Sequence, residues 1–147
     1  MNEVRLPLQI LDKSAVAPAY AHNDDAGLDL RATEALTLKP FERKLISTGI
    51  ACAIPQGYAG LVVPRSGLAI KQGLSLVNTP GLIDANYRGE LKVPAINLDP
   101  NIPIEIQPGD RIAQLVITPV AHVCIDVVEE LSSSERGVQG FGSSGVS

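Results

Sequence analysis

The sequence predicts an all-β domain built as a sandwich, a jelly roll or a barrel. The chain contains 13 glycines and 11 prolines, which leaves little room for long helices. Its apolar residues alternate with polar ones in short runs, and clusters of Gly, Pro, Asn and Asp separate those runs. Many short strands at this spacing are typical of these three architectures. A length of 147 residues indicates one domain.

The strand predictions follow this alternation along the chain. Val4, Leu6, Leu8 and Ile10 have the period of a half-buried strand. The same period continues from residue 46 to residue 54, which predicts one strand there. Further short strands are predicted at residues 58–63, 74–77, 91–98, 102–106, 112–117 and 123–128. Pro94 predicts an edge position or a bulge in the strand that contains it.

One short helix is predicted after the strand at residues 58–63. Ser66 is expected to cap it, residues 68–72 to form it and Gly73 to end it. Because Arg65 precedes the helix, a guanidinium would lie beside the free N–H groups of the first turn. This arrangement predicts a phosphate site.

The C-terminal residues differ in composition from the rest of the chain. Ten of the sixteen residues at 132–147 are Gly or Ser. The segment therefore has too few apolar groups to offset the entropy cost of ordering it. We therefore divide the chain into a β domain, residues 1–131, and a flexible C-terminal arm, residues 132–147. A terminus of this kind is more often dispensable than functional. Arg136 and Phe141 favour a functional arm, because they suit phosphate binding and ring stacking.

Charge and composition argue against several classes of protein. A net charge of −4 argues against broad nucleic-acid binding, which needs a basic face, but leaves a compact anion site open. No apolar stretch approaches the roughly 18 residues of a membrane helix, and the N-terminus does not have the pattern of a signal peptide. Cys52 and Cys124 stand in apolar runs far apart, which predicts buried free thiols and a cytoplasmic protein.

Gly- and Arg-containing clusters recur in the predicted loops. None has the Gly-Lys-Ser/Thr of a nucleotide phosphate loop, and neither a zinc site nor a GxSxG motif is present. Without further information the residues predict an all-β protein with anion-binding loops. The clusters are Pro64-Arg65-Ser66-Gly67, Tyr87-Arg88-Gly89-Glu90, Gly109-Asp110-Arg111 and Arg136-Gly137.

Five segments of the chain resemble the five ordered motifs of the trimeric dUTPase family. They keep the family's order and approximate spacing and span nearly the whole chain. One such segment would be suggestive, whereas all five together are highly specific. The segments are AGLDL at 26–30, PRSGLA at 64–69, GLIDANYRGE at 81–90, GDRIAQL at 109–115 and RGVQGFGSSG at 136–145.

The resemblance implies a distorted jelly-roll or β-sandwich subunit with one short helix, assembled as a homotrimer whose active sites are shared between subunits. The implied reaction is hydrolysis of dUTP to dUMP and pyrophosphate by in-line attack of water on the α-phosphorus. It would limit uracil incorporation into DNA and supply dUMP. Asp84 matches the carboxylate that orients and deprotonates the water. Mg²⁺ is implied as cofactor, held by substrate phosphates and water, with Asp29 a possible outer-shell contact or a residue that orders a turn.

The resemblance also implies which residues bind the triphosphate. Arg65, Ser66, Gly67 and Gln114 match phosphate-binding positions. In the arm, the matching positions are Arg136, which would bind the γ-phosphate, and Phe141, which would stack on uracil, followed by Gly142 and Ser143. The arm would close over the active site of a neighbouring subunit. Asp110 and Arg111 are expected to be structural and to pair with other motif residues.

Selection of deoxyuridine is implied for residues 78–92, which we interpret as a β-hairpin. Asn78 and backbone groups around Lys92 would match the uracil edge, and close approach of the hairpin backbone would exclude a thymine methyl group. Leu82 and Ile83 are further substrate-binding positions of this segment. Tyr87 would lie under the deoxyribose and exclude a 2′-hydroxyl. For Tyr87 taken alone, cross-strand packing is an equally good interpretation.

Two alternatives remain at this stage. A dCTP deaminase or bifunctional deaminase would have the same fold, but those enzymes place an Arg soon after the Ser of the second motif. Here Leu68-Ala69-Ile70 follows instead. A non-catalytic regulatory trimer is the other alternative, and the intact Asp84 and intact arm argue against it.

Overall fold

A computed structural model of the chain describes residues 3–142 and 144–145. In that part of the chain, eleven strands and one helix follow one another. In chain order they are β1 (Leu8–Ile10), β2 (Leu28–Arg31), β3 (Leu36–Leu38), β4 (Arg43–Ser47), β5 (Ile50–Cys52), β6 (Tyr58–Val63), α1 (Ser66–Gln72), β7 (Leu74–Leu76), β8 (Gly81–Ile83), β9 (Lys92–Asn97), β10 (Ile104–Ile106) and β11 (Arg111–Pro119).

The strands pair in antiparallel sheets that share one hydrophobic core. The largest sheet has the order β2-β11-β6-β8, and a second has the order β4-β9-β7. β1 pairs with β5, and β3 pairs with β10. The predicted all-β fold with a short helix, arranged as a jelly-roll-like sandwich, is confirmed. Buried side chains from every sheet contribute to the core, among them Leu30, Leu38, Ile46, Ile50, Val93, Ile104 and Leu115.

Gly49 divides the strand that was predicted from residue 46 to residue 54. The chain leaves β4 after Ser47 and enters β5 at Ile50. Gly49 has a φ of 68°, in the left-handed region that favours glycine, and a Cβ there would lie 2.7 Å from the Cβ of Ala15. The prediction of one strand was wrong because alternation reports which side chains are buried and does not report whether the backbone stays extended.

The strand predicted at residues 123–128 is absent from the structure. Val123 is 73% exposed, Ile125 82% and Val127 90%, and every described residue from 119 to 145 is exposed. A strand needs a neighbour for its N–H and C=O groups, and the described part of this chain provides none at that position. The residues alternate as the sequence indicated, but the run pairs with no strand in the described part of the chain.

The ends of several other predicted strands also change. The strand predicted from residues 4 to 10 is reduced to β1. β2 and β3 were missed, whereas β8 falls within residues 78–92, which were interpreted as a β-hairpin. The predicted strand at residues 58–63 coincides with β6.

The helix forms as predicted except at its start. Ser66 is the first helical residue, and Arg65 occupies the N-cap position with an extended backbone and no capping side-chain hydrogen bond. The predicted cap at Ser66 was therefore wrong. Gly73 ends α1 with a φ of 71°, and its N–H is bonded back to the carbonyls of Ala69 and Leu68.

Pro94 lies in β9, the central strand of its sheet, so the predicted edge position was wrong. Its carbonyl accepts a hydrogen bond of 2.9 Å from the N–H of Val77. Pro94 has no N–H to return that bond, so the ladder to β7 ends at Leu76. On the other side Pro94 faces Leu45 of β4. A proline is thus tolerated in a central strand because one neighbouring strand stops beside it.

The two cysteines differ in their surroundings. Cys52 is buried, and burial raises the pKa of its thiol, an effect that the charge of Arg88 partly opposes. Cys124 is exposed, so the prediction of two buried thiols was wrong for one of them. None of the described helices has the length and apolarity that crossing a bilayer requires.

Candidate active site

A cavity of about 660 Å³ collects most of the residues that the third motif predicted. It lies where β8 meets the chain that leads into β9. Four other lining residues were not predicted from the sequence: Leu45, Glu90, Leu91 and Pro94. For Glu90, the charged residues around it in the sequence were the available signal. The predicted residues in its lining are Asn78, Leu82, Ile83, Asp84, Tyr87 and Lys92.

The segment between β8 and β9 is a connection between two sheets and is not a β-hairpin. β8 pairs with β6, whereas β9 pairs with β4 and β7. The hairpin prediction was wrong because pairing partners so far away in the chain leave no local signal. The connection begins at Asp84, an exposed residue whose carbonyl accepts a 3.1 Å hydrogen bond from the N–H of Tyr87. This turn keeps both residues at the cavity.

Glu90 fastens this connection to the turn between β4 and β5. Its carboxylate accepts a 2.9 Å hydrogen bond from the N–H of Gly49 and lies 3.4 Å from the ammonium of Lys92. Its carbonyl accepts a 2.9 Å hydrogen bond from the hydroxyl of Tyr87. The next residue, Leu91, donates its N–H to the carbonyl of Ile50 at 2.8 Å. Tyr87 is therefore held against backbone that is itself fixed to the core.

A second cluster forms around Asp29, a carboxylate that is only 6% exposed. The Nε of Arg65 lies 3.2 Å from one carboxylate oxygen, and Nη1 of Arg111 lies 3.3 Å from the other. The oxygen facing Arg65 has an ion pair but no hydrogen bond of good geometry. Two guanidinium groups offset the cost of burying this charge. Arg111 thus pairs with another motif residue, as its motif position implied.

Gln114 belongs to the same cluster. It lies on β11 directly opposite Asp29 of β2 and Val63 of β6. A Cβ at Gly27 would lie 3.0 Å from the Cβ of Gln114, so this close contact needs a residue without a side chain. Ser66 and Gly67 are exposed at the start of α1, immediately after Arg65. The predicted phosphate-binding residues therefore lie together.

The two clusters are well separated on one chain. β8 runs antiparallel to β6 with Ile83 opposite Gly60, so Asp84 lies near Ala59. Arg65 is six positions farther along the direction of β6, roughly 20 Å at ~3.3 Å per residue. Arg65 lines a different cavity, of about 300 Å³, together with Asp110 and Arg111. The structure therefore brings the predicted residues together as two groups, and does not join those groups.

None of the described residues of the arm lines either cavity. Arg136 donates from Nε to the carbonyl of Gln139 at 2.9 Å, a contact within the arm. Phe141 and Gly142 are exposed. The predicted site residue Ser143 lies outside the described residues. Among the residues that are described, no three His, Cys, Asp or Glu side chains form a group that could hold a metal ion.

Comparison with known proteins identifies one family. The model of the dUTPase family matches residues 13–145. The deoxyuridine 5'-triphosphate nucleotidohydrolase of Corynebacterium glutamicum is 57% identical over 135 residues, which is 92% of this chain and 91% of that protein. The corresponding protein of Leifsonia xyli is 55% identical over 128 residues, 87% of this chain and 84% of its own length.

Solved structures have the same fold. The dUTPase of Staphylococcus bacteriophage 80alpha with dUPNHPP superimposes with a TM-score of 0.90 at 37% identity, covering 97% of this chain and 99% of that one. A variant dUTPase of phage phi11 of S. aureus, whose structure describes the coordination of a structural Mg(II) ion, has a TM-score of 0.82 at 31% identity. That comparison covers 88% of this chain and 100% of the phage protein.

Proposed function

The chain belongs to the dUTPase family and hydrolyses dUTP to dUMP and pyrophosphate, and we propose that it does so where its two clusters meet across a subunit boundary. The observation that carries this proposal is the cavity beside β8. It combines a carboxylate, an amide, a tyrosine ring and apolar walls in one concave surface. Such a combination suits a nucleoside, because it offers both hydrogen-bonding groups and apolar area.

We assign uracil recognition to Asn78 and the backbone near Lys92. The Asn78 amide offers both a donor and an acceptor, which match the edge of uracil and leave the amino group of cytosine unpaired. Leu82 and Ile83 would form the wall that excludes a thymine methyl group. The Tyr87 ring would lie under the deoxyribose and exclude a 2′-hydroxyl. The position of all these side chains at one cavity supports the assignment.

Asp84 would act as general base on the attacking water. Its carboxylate is exposed at the cavity, and the turn to Tyr87 fixes its backbone. A positioned carboxylate contributes about 10²–10⁴-fold to a proton transfer of this kind. In-line attack at the α-phosphorus would then release pyrophosphate, whose developing charge needs cationic groups and donors on the opposite side.

The second cluster would supply those groups. Arg65 and Gln114 would contact phosphate oxygens, and Ser66 and Gly67 would donate from the start of α1. Mg²⁺ would neutralise triphosphate charge while it is held chiefly by the substrate and water. Asp29 would be at most an outer-shell contact of the metal, because its two carboxylate oxygens are paired with Arg65 and Arg111.

A single chain cannot place Asp84 and Arg65 on one triphosphate when their backbones lie roughly 20 Å apart. We therefore propose a homotrimer in which each site combines the cavity of one subunit with the Asp29 cluster of another. The exposed alternating run at residues 123–128 supports association, since it needs a strand partner that the described chain does not provide. The arm of a subunit would then close over the joint site, with Phe141 on uracil and Arg136 on the γ-phosphate.

We place the protein in the cytoplasm. Cys52 and Cys124 are both free thiols, which supports a reducing compartment. dUTP is the proposed small-molecule partner, and a second copy of the chain the proposed macromolecular one.

Pyrophosphate release from dUTP, dTTP, dCTP and UTP, each measured with Mg²⁺ and with chelator, tests the assignment of substrate and metal. We expect release from dUTP alone and its loss in chelator. Equal release from UTP would remove the assigned role of Tyr87, and full activity in chelator would remove the metal. Release from none of the four would contradict catalysis by this chain.

A further inference from the structure

Gly89 lies directly against the ring of Tyr87. A Cβ at position 89 would be 2.7 Å from Cζ of that ring and 3.1 Å from Cε2, and closer still to the hydroxyl oxygen. Carbon atoms in contact are normally about 3.5–4.0 Å apart. The φ of Gly89 lies outside the left-handed region, so the backbone itself would accept another residue. The Tyr87 ring is therefore the group that a side chain at position 89 would meet and displace.

The backbone that follows Gly89 is held by hydrogen bonds at Glu90 and Leu91. Glu90 is held through its carboxylate by the N–H of Gly49 and through its carbonyl by the Tyr87 hydroxyl. Leu91 is held on both sides, by its N–H to Ile50 and by its carbonyl, which accepts from the buried hydroxyl of Thr48. A side chain at position 89 would therefore displace the ring by about an ångström and strain the hydrogen bond from its hydroxyl to the carbonyl of Glu90.

We propose that Gly89 is a positioning residue for sugar selection. Because it has no side chain, the Tyr87 ring can lie close to the backbone of residue 89, in the position where it would contact the deoxyribose and exclude a 2′-hydroxyl. This rests on the proposed role of Tyr87 at the cavity. Gly89→Ala would push the Tyr87 ring away from the backbone of residue 89 and weaken the hydrogen bond from its hydroxyl to the carbonyl of Glu90. Because the ring borders solvent, the fold would tolerate this shift, while the fit to the sugar would not.

The test is a double-mutant cycle of Gly89→Ala, Tyr87→Ala and the double variant. The measurements are kcat/KM for dUTP and for UTP and the midpoint of thermal unfolding. We expect the preference for dUTP over UTP to fall roughly tenfold in Gly89→Ala, chiefly through KM. In the Tyr87→Ala background, Gly89→Ala should change that preference less than about twofold, since no ring remains to be displaced. Asn86→Ala, an exposed change in the same connection, is the matched control and should keep the wild-type preference.

Each outcome decides the question. An unchanged preference in Gly89→Ala, or an equal loss in both backgrounds, would overturn the positioning role. If Gly89→Ala unfolds but the double variant does not, the ring contact is supported. If both unfold alike, it is refuted. A wild-type chain without dUTP hydrolysis, or a Tyr87→Ala variant with unchanged preference, would instead overturn the proposed function on which this inference rests.

Discussion

Asn97 is completely buried and satisfies three backbone groups with one side chain. Its amide nitrogen donates to the carbonyls of Leu38 at 3.0 Å and Ile102 at 2.9 Å. Its oxygen accepts from the N–H of Asp99 at 2.8 Å. These bonds join β9 to β3 and to the turn before β10, so a residue that no motif includes ties three elements together.

Asn97→Ala should destabilise the protein by about 3 kcal/mol or more. The buried carbonyl of Leu38 would be left without a partner at a cost of about 1–3 kcal/mol, and the part-buried groups of Ile102 and Asp99 would add to that cost. Urea unfolding should show a lower midpoint with an unchanged slope. Asn101→Ala, in the exposed turn nearby, should stay within about 0.5 kcal/mol of wild type. An equally small effect at Asn97 would mean that water replaces its amide.

Asp84→Asn should bind substrate and lose nearly all turnover. The carboxylate is exposed and outside the core, so the change removes the proposed base without disturbing packing. We expect kcat to fall by about 10²–10⁴-fold or more. Calorimetric binding of a non-hydrolysable dUTP analogue should remain near the wild-type affinity. A variant that keeps most of its kcat would exclude Asp84 as the base.

At the scale of elements, local chemistry was predictable and pairing was not. Residues 58–63 and the end of α1 at Gly73 follow from local alternation and from a glycine in the left-handed region. The break at Gly49 depends on the side chains of Asp12, Ala15 and Thr33 around it, which no local pattern reveals.

For the candidate site, too, some features could be predicted from the sequence and others could not. Its residue types were predicted by motif resemblance, because the motifs preserve chemistry. Their grouping was implied as well, since residues 78–92 were expected to form one nucleoside site. The contribution of Leu45 and Pro94 to the cavity was not, because β4 and β9 pair across a long stretch of sequence. The strand predicted at residues 123–128 failed for a related reason, since its alternation has no partner within the described chain.

Removal of the arm should separate stability from activity. A chain that ends before Arg136 loses only exposed groups among the described residues, so its unfolding midpoint should stay within a few degrees of wild type. Its kcat/KM for dUTP should fall severely, because Phe141 and Arg136 would no longer close the site. Full activity after truncation, measured by pyrophosphate release, would contradict the proposed role of the arm.

At the scale of the whole molecule, the exposed alternating run at residues 123–128 provides a test of the proposed homotrimer. Ile125→Asp should leave the isolated chain intact, because this side chain is 82% exposed there. It should nevertheless reduce the sedimentation mass from three times 15.5 kDa toward that of one chain, since a charge would be buried at the subunit boundary. Val138→Asp adds the same charge at an exposed valine of the arm and should keep the assembled mass. A trimer that survives Ile125→Asp would place the interface elsewhere.

The separation of the two clusters leads to a sharper test, because two inactive variants should complement each other. Asp84→Asn disables the cavity and Arg65→Gln disables the phosphate cluster, so each variant alone should have almost no activity. If every site takes Asp84 from one subunit and Arg65 from another, equal co-expression should restore about a quarter of the wild-type activity. That fraction is the chance that both contributing subunits carry the intact residue.

The two variants purified separately and mixed without exchange of subunits serve as the control. Co-expressed protein that stays as inactive as its parents would mean that each chain completes its own site, and that the roughly 20 Å between the clusters closes within one subunit.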